Sequence, residues 1–176
     1  MSDAPEFERR RRELIGEIGA AFDVVSRGGG TTLHEAVAVD DRKSAEELRA
    51  ARGLDQEARW QDVTDDAISA CCSALSFLDE RGFRYYIPAF MLYALRHWAD
   101  GPGGLVSSCA YHLLRLPSES LRQSDPASIA AKFQFTKEQC RAVSRFLRFV
   151  VDFDQSAADR GTTRAVERWE QFCARL

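Results

Sequence analysis

Residues 71–90 read CCSALSFLDERGFRYYIPAF. Two adjacent cysteines open the stretch, aromatics crowd its second half, and Asp79-Glu80-Arg81 divides them. Its reading decides the fold, because it is either a junction between buried helices or the lip of an active site. Leu75 and Leu78 continue an apolar set with Ile68, Cys71 and Cys72 at helical spacing, so the N-terminal part reads as the end of a helix capped at Thr64. Gly82 reads as its breaker. Phe83 to Ile87 is the most strand-like run of the chain, but one short run makes no sheet. Pro88 fits the first turn of a further helix carrying Phe90, Met91, Leu95 and Trp98. The stretch is therefore expected to be a buried hinge between two helices. Arg84 is expected to face Asp79 or Glu80, and the tyrosine hydroxyls to satisfy buried polar groups at its edge.

Outward from this centre the same pattern repeats. Leu14, Ile18, Phe22 and Val25 form one stripe of a helix expected from about Phe7 to Ser26, ended by Arg27-Gly28-Gly29-Gly30. That glycine run follows a helix and lacks the Lys-Ser/Thr pair of a phosphate loop. Thr32-Leu33-His34-Glu35, Ser44-Ala45-Glu46-Glu47 and Thr136-Lys137-Glu138-Gln139 are capping boxes, each opening a helix. Trp60 sits in a polar stretch. A helix is expected from about Leu105 to Leu116, and Ser124-Asp125-Pro126 marks another start. Val143, Phe146, Leu147, Val150 and Phe153 line a long helix to about Phe153. Val166, Trp169, Phe172 and Leu176 line a last one beginning near Thr163. Caps and apolar period agree throughout. The expectation is an all-α, compact single-domain multi-helix bundle over residues 1–176, irregular rather than a regular four-helix bundle, with residues 1–6 flexible.

Composition narrows the function classes. The 176 residues carry a net charge of −3, which gives no general attraction to nucleic acid or anionic lipid. No 18-residue apolar run could cross a bilayer. The N-terminal arginines are not followed by the apolar core of a signal peptide. The five cysteines are scattered, and neighbouring Cys71 and Cys72 cannot easily bridge each other, so they read as reduced thiols of a cytoplasmic protein.

Candidate chemistry is sparse. His34-Glu35 lacks the second histidine one turn on, since position 38 is alanine, so no zinc face forms there. Cys109 and His112 share a helix face, yet a nucleophilic thiol also needs an orienting group and oxyanion donors. A core cysteine beside a packed histidine is the plainer reading. The acidic pairs lack the Glu-x-x-His pattern of helical di-metal sites and fit helix starts. No catalytic, cofactor-binding or metal-binding residue is therefore assigned. Arg141, Arg145 and Arg148 fit an ordinary amphipathic helix without a base-reading motif, which disfavours nucleic-acid binding.

Charge distribution is more telling. Residues 34–66 hold ten acidic and five basic side chains, whereas residues 132–176 hold six acidic and nine basic. Asp40, Asp41, Glu46, Glu47, Asp55 and Glu57 are the candidates for an exposed acidic face.

LSFLDERGFRYYIPAFM, from Leu75 to Met91, resembles the central motif of a family of small uncharacterised bacterial proteins. Leu33-His34-Glu35-Ala36 followed by Asp40, the stretch Ala51-Arg52 to Trp60, and Phe135-Thr136-Lys137-Glu138-Gln139 reaching Phe146-Leu147 extend the resemblance over most of the chain. It implies a helical layout and transfers no catalytic residue. Size, helical layout and the acidic segment also resemble immunity proteins that neutralise antibacterial toxins. The expected function is a non-enzymatic interaction module, an immunity-like inhibitor covering a basic surface of a protein partner such as a toxin. The alternatives are a small enzyme or metal-dependent hydrolase built around His34, Glu35, Cys109 and His112, and a structural or regulatory homo-oligomer.

Overall fold

The structure, a computed structural model, describes residues 4–98, 125–154 and 160–176. It is all-α, with no strand among the described residues. The helices are α1 (Ala4–Phe22), α2 (Leu33–Asp40), α3 (Ala45–Arg52), α4 (Asp65–Ala70), α5 (Glu80–Arg96), α6 (Pro126–Lys132), α7 (Lys137–Phe153) and α8 (Arg160–Cys173), with 3₁₀ turns at Trp60–Asp62 and Ala74–Ser76. The expected helix from Leu105 to Leu116 lies outside the described residues. Among the described residues, no helix is long and apolar enough to cross a membrane.

The three capping boxes form as their spacing dictates. In each, the Thr32, Ser44 or Thr136 side chain accepts the third backbone N–H of its helix, while Glu35, Glu47 or Gln139 reaches back to the cap. Thr64 caps α4, and Asp125 caps α6 with Pro126 behind it. Between α2 and α3, Arg42 takes a left-handed φ of 55°, and Lys43 N–H bonds the Ala38 carbonyl, which closes α2 sharply.

The central stretch departs from its sequence reading. α4 stops at Ala70, and the chain tightens into 3₁₀ turns that bury Ala74 and Leu75 against α2. Asp79 then caps a single continuous helix that runs through the presumed breaker Gly82, the strand-like Phe83–Ile87 and Pro88. There is no hinge at Gly82. The Asp79 Oδ1 accepts from Gly82 N at 2.7 Å and from Thr31 N at 3.0 Å, so one carboxylate starts α5 and ties the 27–32 loop to it. A Cβ on Gly82 would sit 2.4 Å from the Thr31 carbonyl oxygen, and one on Gly30 would sit 2.7 Å from Gly82 N. Glycine stands at 82 because backbone passes against backbone, which is a tertiary cause that a breaker reading misses. Asp79 is thereby engaged, and Arg84 forms no pair with it or with Glu80.

α5 is the central element, burying residues from Phe83 to Leu95 on nearly all sides. α1 packs on α5 and α7, α7 on α8, and α6 on α8. Phe7 meets Phe149 and Phe153 with ring centroids 5.4 and 5.0 Å apart, Arg10 bonds Asp152 at 2.7 Å, and Arg145 bonds Glu17 at 2.6 Å. Phe83 stacks on Phe133 at 4.0 Å, joining α5 to the end of α6. α1 begins at Ala4 rather than Phe7, with Glu6 and Arg9 paired across its first turn, and it ends at Phe22 well before the glycines. Its last carbonyls are taken from outside: Trp60 Nε1 donates to Phe22 O at 2.8 Å and Gln139 Nε2 to Ala21 O at 3.2 Å. Trp60, set in a polar stretch of sequence, is thus a buried closing group.

Candidate functional site

The six acidic candidates divide into two groups. Asp40, Asp41, Glu46 and Glu47 are exposed on the α2–α3 hairpin. α3 buries none of its residues and is held by its capping box, by packing on α2, and by Arg52, which bonds Glu35 at 2.6 Å and the carbonyls of Gly29 and Gly30. Glu47 serves the cap of α3 and lies 3.9 Å from Lys43. Asp40, Asp41 and Glu46 make no ion pair with any described residue. Arg42 and Arg49 stand exposed among them, so the surface is a mixed pattern rather than a uniform acidic field.

Asp55 and Glu57 correct the expectation of exposure. Asp55 is only 5% exposed. Its Oδ2 accepts the His34 backbone N–H at 2.9 Å, and its Oδ1 lies 2.7 Å from His34 Nδ1, so it serves the N-terminus of α2. Glu57 faces inward, accepting from Arg27 Nη1 at 3.0 Å and from the Tyr86 hydroxyl at 2.5 Å. Arg27 also donates to Tyr86 Oη at 2.6 Å and Asp55 O at 3.3 Å, and its guanidinium lies 5.7 Å from the Tyr85 ring centroid. A buried charge is tolerated only when paired and hydrogen-bonded, and this knot meets that condition. Burial, reinforced by Glu57, pushes the Tyr85 phenol up to about 12 and raises Tyr86 further, so both remain neutral donors at physiological pH. The knot pins the loop before Trp60 to α5 and to the exit from α1.

His34 has the stance of a general base. When the ring is neutral, an Nδ1–H bond to Asp55 fixes the tautomer that leaves Nε2 as an acceptor, and the side chain is 33% exposed. A base alone performs no hydrolysis. The neighbouring Cys71 thiol is buried, and burial together with Asp55 pushes its pKa up to about 11, so it is held protonated. Glu35 is committed to the Thr32 cap and Arg52. Among the described residues, no group of three or more His, Cys, Asp or Glu side chains is placed to hold a metal. Cys109 and His112 lie outside the described residues. Sequence reasoning paired His34 with Glu35; its partner is Asp55, twenty-one residues away, and no local spacing signals that.

The match to known families is decided over residues 10–172, which fit the model of a family of unknown function, DUF6714. The chain belongs to DUF6714. The matched span of DUF6714 runs from α1 to Phe172 in α8 and so includes both the polar knot and the α2–α3 hairpin. No curated protein and no solved structure matches the chain.

Proposed function

We propose that the protein is a non-enzymatic interaction module whose recognition element is the α2–α3 hairpin. The observation that carries this reading is α3, a helix that buries none of its residues and leaves Asp40, Asp41 and Glu46 unpaired at its approach and first turn. A helix this short is marginal alone, and it gains little from the core. Its outer faces are therefore free to be covered by a second protein. The fitting partner carries a basic groove, such as that of a toxin occluded by an immunity-like inhibitor. Because Arg42 and Arg49 interleave with the acids, recognition rests on the pattern of charge more than on net attraction.

The test compares the native chain with the Asp40→Lys, Asp41→Lys, Glu46→Lys variant. Tagged protein from each is used to isolate stoichiometric partners, and affinity is then measured with the purified partner. Loss of binding in the variant, growing weaker with salt for the native chain, supports the reading. Equal affinity of both chains for the partner overturns it. The His34–Asp55 pair favours a second reading, a small hydrolase; His34→Gln would then abolish turnover of a substrate found by activity screening, and an inactive native chain would remove that reading.

A further inference from the structure

α1, α7 and α8 leave a groove of about 640 Å³ lined by Ala20, Ala21, Ala142, Ala174 and Cys173, with Arg141 among its charged members. A second cavity of about 380 Å³ shares Ala20, Ala21 and Glu138 with it and is lined by Arg84. Both volumes fall within the range of about 300–1,000 Å³ typical of small-molecule sites. The two cavities together run along the C-terminal half of α1, the larger mostly apolar in surface and the smaller mixed.

The charges around this groove are unequally satisfied. Glu17 is bonded by Arg145 at 2.6 Å and Glu170 by Arg148 at 2.7 Å. The Glu138 carboxyl, at the first turn of α7, is held below the usual carboxylate range by its own backbone N–H, Thr136 and the charge of Arg141. Arg84 has no such partner: its Nε is buried without a hydrogen bond, and Asp79, one of its two acidic candidates by sequence, is spent on Thr31 and Gly82. A buried guanidinium nitrogen left unpaired is costly and calls for an acceptor. Arg84 stands on α5 between buried Phe83 and Tyr85.

We propose that the joined groove binds a small amphipathic monocarboxylate. Its head group accepts from Arg84 in the smaller chamber, and its apolar tail passes over Ala20 and Ala21 to lie on Ala142 and Ala174. Guanidinium and carboxylate match in geometry and charge, and the alanines offer apolar surface to the tail, beside Arg141 and Ser144. The site is independent of the α2–α3 hairpin.

The test is calorimetric titration of the full chain with decanoate. Saturable one-to-one binding is expected, about tenfold or more weaker for decanol and for the Arg84→Met variant, which is the loss expected for a charge-assisted bond. Ala20→Trp, a change at an exposed position that fills the groove, is expected to abolish binding while leaving the thermal transition in place. Acetate, which lacks the tail, is expected not to saturate. Absence of saturable decanoate binding to the native chain overturns the proposal, as does equal affinity for acetate and decanoate, or an Ala20→Trp chain that binds as the native one does.

Discussion

α3 and α5 begin alike and end as opposites. Each is opened by a side-chain cap, Ser44 in one and Asp79 in the other. α5 then buries most of its length, whereas α3 buries nothing. A local start signal therefore says that a helix forms and is silent about what holds it. α5 is stabilised by the apolar surface it removes from water. α3 is stabilised by its capping box, an Arg52–Glu35 pair and its neighbour α2. Substitutions of low structural cost belong on the exposed positions of α3.

The contrast can be broken or sharpened by mutation. The largest effect is expected on α5: Phe90→Ala, at a fully buried ring, should cost about 3–5 kcal/mol in denaturant unfolding. Gly82→Ala should cost about 1–3 kcal/mol or more, because the added methyl meets the Thr31 carbonyl; a native-like midpoint would deny the close backbone contact.

Tyr86→Phe removes a hydroxyl that donates to Glu57 and accepts from Arg27, and should cost about 1–3 kcal/mol. The same residue gives the pH dependence its sign. A phenol whose folded pKa is raised contributes stability that is whole below its ordinary value of 10.0 and is lost as pH rises through the folded value, about 12 for Tyr85 and higher for Tyr86. Cys71 and Cys140, raised from 9.0 to about 11, act in the same direction from lower pH. Unfolding free energy should therefore fall from about pH 9 to pH 12, and less steeply in Tyr86→Phe.

On α3 the effects shrink. Ser44→Ala should cost about 1 kcal/mol, read as faster hydrogen exchange confined to residues 45–52, with the global midpoint nearly unmoved. The Asp40, Asp41 and Glu46 charge reversals should change stability by less than about 0.5 kcal/mol. A large loss there would show that the hairpin belongs to the core's cooperative unit and would weaken its assignment as a free recognition surface.

What could be read from sequence follows the range of the forces involved. The helix starts at Thr32, Ser44, Thr64, Asp125 and Thr136 depend on partners three residues away or fewer, and all were legible. The family resemblance drawn from the central motif agrees with membership in an uncharacterised helical family over residues 10–172. Gly82 and Pro88 were misread as boundaries because Asp79's cap, Thr31's backbone and the surrounding core override local propensity. The end of α1 was hidden for a similar reason: Trp60 and Gln139 supply it from afar. Within the acidic segment, counting charges could not separate Asp40 and Glu46, which face water, from Asp55 and Glu57, which answer His34 and Arg27.

The seam between α1 and α7 has a consequence for synthesis. Leu14, Ile18 and Phe22 leave the ribosome long before Val143, Phe146 and Phe149, their neighbours in the finished core. At about 5–20 residues per second, the wait from Phe22 to Lys137 lasts on the order of ten seconds. α5 emerges midway and can shield part of the stripe, but the seam closes only after α7 is made. During that interval the nascent chain carries a sticky amphipathic helix, and a chaperone that binds such helices would find its target in α1.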